Sequence, residues 1–310
     1  MKKILITGGA GYIGSKLSTE LINLGFKVTV VDTMKYSKNS LDHLLFNANF
    51  SLIKKDVRDK KLINSLIKKN DIIIPLAALV GAPLCEKNKK LAVEVNYLSI
   101  KNIIKNIKNK KIIYLNTNSG YGIGKRGKYC DENSPLSPIS LYGKTKCNSE
   151  EEVTKIKNFI CFRLATVFGY SYRMRTDLLV NNFTYKLLKD KKLKIFESHF
   201  RRNFININDV VGAIIYAINN FSKMKGQIFN LGLSKANYTK IQLANVIKKV
   251  INNNSKIYEI SNRKDPDKRD YFVSNKKIER YGFKPNYTVE EGVRELKLIY
   301  EHIGSVKNNY

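Results

Sequence analysis

The chain has 310 residues, 43% hydrophobic and 26% charged, an ordinary globular composition with material for one large or two modest folded units. Its net charge of +30 comes from 56 Lys and Arg against 26 Asp and Glu, with lysine predominating and spread through nearly every segment. Such a spread is a compositional bias favouring small anionic substrates and argues against a dedicated nucleic-acid patch. Cys85, Cys130, Cys147 and Cys161 fall at no zinc or redox spacing, and His43, His199 and His302 are scattered, which argues against a metal centre and for reduced thiols in a cytoplasm.

Residues 1–7 begin like a signal peptide, but the apolar run meets glycines too soon, so it is read as a buried first strand. Short apolar runs predict strands over 3–7, 27–32, 50–54, 71–75, 111–116 and 159–165. Amphipathic stretches between them, such as 13–24 and 91–107, predict helices. The longest apolar stretch, 72–84, is too short to span a bilayer and is broken by Pro75, Gly81 and Pro83, so no membrane segment is expected. This alternation predicts an α/β fold, with a Rossmann-type doubly wound parallel sheet over 1–168. Beyond Phe168-Gly169 comes an aromatic, arginine-containing segment, Tyr170-Ser171-Tyr172-Arg173-Met174-Arg175, and then an apolar helix from about Leu178. A brief alternation near 203–207 and 227–230 precedes helices near 240–250 and 289–300. Residues 169–310 are therefore expected to form a smaller C-terminal substrate-binding lobe, with the chain returning to the sheet near 203–230.

The first chemical signal is the loop Thr7-Gly8-Gly9-Ala10-Gly11-Tyr12-Ile13-Gly14, set between a strand and a helix. Gly8 permits a tight turn, Gly11 lets backbone approach phosphates, and Gly14 lets helix and strand pack closely, while helix N-terminal amides face the anion. Asp32, closing the second strand, is placed to accept the adenosine ribose hydroxyls and to repel a 2′-phosphate, which favours NAD over NADP. Asp56-Val57 and Leu76-Ala77-Ala78 follow the third and fourth strands, where they can meet the adenine and let a cofactor lie against backbone. Tyr142 and Lys146, at i and i+4, share one helix face. A phenol beside an ammonium suits proton transfer during hydride transfer, and Thr117 adds a hydroxyl at the end of the fifth strand.

On these residues, with Asn96 and Arg202-Asn203-Phe204-Ile205, the chain resembles an extended short-chain dehydrogenase/reductase of the nucleotide-sugar epimerase/dehydratase group along nearly its whole length. The resemblance implies a catalytic triad of Thr117, Tyr142 and Lys146. It also implies an NAD site including Tyr12, Ile13 and Asn96, a sugar-nucleotide diphosphate held by Arg202 and Arg269, and a homodimer. Family 4,6-dehydratases carry Asp-Glu directly after the triad hydroxyl, whereas Asn118-Ser119 stands here, which disfavours dehydration. Three longer stretches, 72–85, 116–124 and 265–271, are similar to the branch that oxidises GDP-D-glycero-α-D-manno-heptose at C4 in capsule heptose synthesis, and imply a 4-keto product. A 4-epimerase or a 4-keto reductase would use the same triad. A non-catalytic nucleotide- or RNA-binding relative is the remaining alternative.

Overall fold

The computed structural model describes residues 1–125, 127–260 and 269–303. Five strands lead the chain: β1 (Lys3–Thr7), β2 (Lys27–Asp32), β3 (Phe50–Lys54), β4 (Ile72–Pro75) and β5 (Lys111–Thr117). After a short β6 (Tyr129–Cys130) come β7 (Phe159–Leu164), β8 (Thr166–Phe168), β9 (Lys192–Phe196), β10 (Arg201–Asn206) and β11 (Gln227–Leu231). The last are β12 (Asn237–Thr239), β13 (Lys256–Ile260) and β14 (Phe272–Val273). Seven of them form one parallel sheet in the order β11-β7-β5-β4-β1-β2-β3.

Alternate side chains of each strand serve opposite faces: Ile4, Ile6, Ile72 and Ile74 join one hydrophobic cluster, Leu5 and Ile73 the other. All four residues of β4 are buried, the pattern of a parallel strand covered on both sides. One face is covered by the Tyr12–Asn23 and Ile207–Asn219 helices. Helices Lys60–Lys69, Ser99–Asn106 and Leu141–Thr154 cover the other. Strand order reverses at β1, between β2 and β4, and the glycine loop and the segment after β4 open there, where such sheets bind ligands.

A third cluster fills the remaining part, around Phe168, Phe204, Leu243 and Tyr300. Its strands form a small sheet in the order β12-β10-β8 and a parallel β13-β9 pair. The return near 203–230 is narrower than expected, because β10 stays with β8 and β12 while the Ile207–Asn219 helix and β11 rejoin the large sheet. A second return follows: Ile278, on the Lys276–Arg280 helix, packs in the same cluster as β1. The helix expected over 91–107 is also interrupted. Helix Lys89–Val93 passes into a π turn at Glu94–Leu98 before Ser99–Asn106 resumes. Among the described residues no helix is long and apolar enough to cross a membrane.

Candidate active site

A cleft of about 1100 Å³ opens over the carboxyl ends of the strands. The glycine loop forms its floor. Gly8 has φ +75°, and a Cβ there would lie 2.5 Å from the Ala77 nitrogen, so only glycine lets this loop pass the segment after β4. The helix that follows begins at Tyr12 with no side-chain cap on its first turn, leaving amides for an anionic ligand. Gly8, Gly11, Tyr12, Ile13 and Gly14 all line the cleft, and the Tyr12 hydroxyl donates to the Gly169 carbonyl at 2.7 Å.

Asp32 lines the cleft at the end of β2, accepting from the Ala10 amide at 3.0 Å and the Met34 amide at 2.8 Å. Burial raises its pKa, those two bonds and the Arg173 charge opposing. Asp56 and Val57 line the next wall; the Asp56 carboxylate is gripped by Arg58, whose other nitrogen donates to Glu94 at 2.6 Å. The Arg58 bond holds the Asp56 carboxyl below its ordinary pKa. Leu76, Ala77 and Ala78 complete this end.

Asn96 is not among the lining residues, unlike the expectation for a cofactor contact. It stands behind the wall, its Oδ1 accepting from the Leu79 amide at 2.8 Å and its Nδ2 donating to the Leu79 carbonyl at 3.0 Å. Its own carbonyl accepts from Ser149 at 2.7 Å. The π turn presents Asn96 for both tasks, so this residue fixes the segment after β4 against the Leu141–Thr154 helix.

Thr117, Tyr142 and Lys146 all line the cleft. The Thr117 and Ser119 hydroxyls are 2.9 Å apart, and Arg269 also bonds Ser119. Burial pushes the Tyr142 phenol up to about 12, with the Cys85 thiol acting the same way and Arg269 and Arg175 drawing it down. These two arginines, and not the Lys146 ammonium four residues on, are the cations acting most strongly on the phenol. Lys146 Nζ lies 4.1 Å from the centre of the Tyr114 ring. Burial pulls its pKa down to about 8, against Cys161, Cys147 and Glu150.

Arg202 faces the Tyr271 ring, 5.7 Å from its centroid, and both line the cleft with Arg269. Residues 265–268 of the late arginine segment lie outside the described residues. Sequence reasoning assigned nothing to Ser119, Arg173, Arg175 or Lys240, all of which line the cleft. For Arg173 and Arg175 the signal was a pair of arginines within an aromatic segment, and Ser119 and Lys240 had none.

The model of the NAD dependent epimerase/dehydratase family matches residues 4–232. The chain belongs to that family. It is similar to a putative UDP-glucose 4-epimerase of Methanocaldococcus jannaschii, 27% identical with 99% of each chain covered. It is also similar to a UDP-N-acetyl-alpha-D-glucosaminuronate decarboxylase of Bacillus cytotoxicus, 28% identical, with 95% of this chain and 96% of the other covered. Among solved structures, a UDP-glucuronic acid 4-epimerase of Bacillus cereus superposes with TM-score 0.86 at 22% identity, covering 97% of this chain and 99% of that one, and shares the fold.

As an epimerase/dehydratase family member the protein is an NAD-dependent enzyme of oxidoreductase type. The residues fit that cofactor, since glycine at position 8 lets the loop pass against Ala77 and the helix after it starts without a side-chain cap, leaving its first amides for a pyrophosphate.

Proposed function

We propose that the enzyme oxidises the C4 hydroxyl of a nucleotide-activated sugar, with GDP-D-glycero-α-D-manno-heptose as substrate and its 4-keto form as product, in capsule polysaccharide synthesis in the cytoplasm. The observation carrying this reading is Tyr142: a half-buried phenol within reach of two arginine charges, in the cleft that the glycine loop also lines. Asn118 and Ser119 beside Thr117 bear no ionisable group, so nothing there can act as acid and base to remove water.

The glycine loop would hold the pyrophosphate of NAD, Asp32 its adenosine ribose, and Lys146 its nicotinamide ribose. Bound there, NAD supplies a hydride acceptor. Tyr142, as phenolate, accepts the C4 hydroxyl proton directly or through Thr117, whose Oγ1 Ser119 orients. Arg175 and Arg269 stabilise the phenolate. Arg202 and Arg269 hold the sugar nucleotide's diphosphate by paired donors. The working unit is a homodimer.

Purified enzyme given GDP-heptose and NAD should form a 4-ketone together with reduced cofactor. A new C4 stereoisomer with no net cofactor reduction would replace this reading by 4-epimerisation, the activity named for several of the relatives. Tyr142→Phe should lower turnover by at least about a hundredfold while NAD affinity stays near wild type. Full residual turnover would remove Tyr142 from the chemistry.

A further inference from the structure

Among the described residues the cleft is lined by Arg58, Arg173, Arg175, Arg202 and Arg269. Arg202 stands against Tyr271 and Arg269 against Ser119. Arg173 stands within electrostatic reach of Asp32 and 5.7 Å from the centroid of the Tyr36 ring.

The backbone carrying Arg173 is fastened to the helix that leaves the glycine loop. Ser171 Oγ donates to the Tyr12 carbonyl at 2.6 Å and lies 3.0 Å from Ser15 Oγ, which also accepts from the Arg173 amide at 3.3 Å. Tyr172 stacks on His43 at 4.4 Å, and the His43 ring pairs with Thr19 at 2.8 Å on the same helix. A segment that follows β8 therefore lies along the start of the first helix, and its position is set by side chains of that helix.

Arg173 is 5% exposed and lines the cleft. Among the described residues, no acceptor takes a hydrogen bond from its guanidinium. Burial lowers its pKa and the Arg175 charge acts the same way, with Asp177, Tyr36 and Asp32 offsetting part. A buried planar cation whose donors are unused, beside an uncapped helix N-terminus, matches a doubly charged ligand that accepts several hydrogen bonds.

We infer that Arg173 is a cofactor-binding residue, gripping the pyrophosphate of NAD from the side opposite the glycine-loop amides. The inference rests on the glycine loop carrying that pyrophosphate. It assigns the two diphosphates of the reaction to different arginines: Arg173 for the cofactor's, Arg202 and Arg269 for the sugar nucleotide's.

Calorimetric titration of wild type, Arg173→Gln and Arg173→Lys with NAD, ADP-ribose, adenosine and GDP tests this. For Arg173→Gln, affinity for NAD and ADP-ribose should fall about tenfold or more, with adenosine and GDP near wild-type values and Arg173→Lys intermediate. Unchanged NAD and ADP-ribose affinity would overturn the inference. So would a loss for GDP instead, or an equal loss for adenosine, since either places the guanidinium on another part of the ligands. Wild type that binds neither NAD nor ADP-ribose would sink the glycine-loop reading itself. A measurement on the unaltered protein covers a variant that does not fold: ADP-ribose should protect Arg173 from phenylglyoxal and adenosine should not. Equal labelling with and without ADP-ribose would count against the grip.

Discussion

Lys146 carries its charge against the preference of its surroundings. It is 6% exposed, and burial takes its pKa from 10.5 to about 8. Between those values the unfolded chain binds more protons than the folded one, so this lysine's contribution to stability rises with pH across that window. Below pH 8 the folded protein bears the whole cost, roughly 3 kcal/mol at one pKa unit per 1.36 kcal/mol. Lys146→Met should therefore raise the melting temperature at neutral pH, and the gain over wild type should shrink as pH climbs towards 10.5. A pH-independent difference in thermal melts would show that the charge is not the cause. That Tyr142, Lys146 and Thr117 line one cleft was legible because spacing and strand ends place them. Arg173 was not, since its meaning depends on a hydroxyl of Ser15 far away in sequence, which no local pattern reveals.

On the Leu141–Thr154 helix, Tyr142, Lys146 and Glu150 follow at intervals of four and share a face. Glu150 is ion-paired with Arg163 of β7 at 2.7 Å, both side chains 6% exposed, and accepts from Asn116 of β5 at 2.6 Å. Arg163 also donates to the Tyr121 hydroxyl at 3.0 Å, and that hydroxyl donates to Asn230 of β11 at 2.7 Å. This polar layer fixes the helix on three strands. Arg163→Ala leaves Glu150 buried without its cation, and should cost about 3–5 kcal/mol in denaturant unfolding; a loss below 1 kcal/mol would mean that the pair is dispensable. The large sheet's strands were predictable because buried parallel strands are plain apolar runs. The π turn was not: Val93-Glu94-Val95-Asn96 reads as ordinary helix, and the extra residue is accommodated because Asn96 must reach Leu79.

For the molecule as a whole, the net charge of +30 should draw anionic substrates to the cleft before any contact forms. Raising salt from about 50 to about 500 mM should increase KM for the nucleotide sugar several-fold with little change in kcat. A KM indifferent to salt would confine recognition to the direct arginine contacts. Six strands of the large sheet followed from sequence rhythm, whereas the choice of β11 over β10 as the seventh did not, because alternation marks a strand without naming its neighbour. The outermost pairing, β11 on β7, has a consequence during synthesis. A ribosome releases β7 about sixty residues before β11, and in that interval a strand rich in phenylalanine and isoleucine offers unmet backbone groups to any passing chain. The late strand thus serves the nascent protein as a seal against self-association, and the sheet cannot be closed by its first half alone.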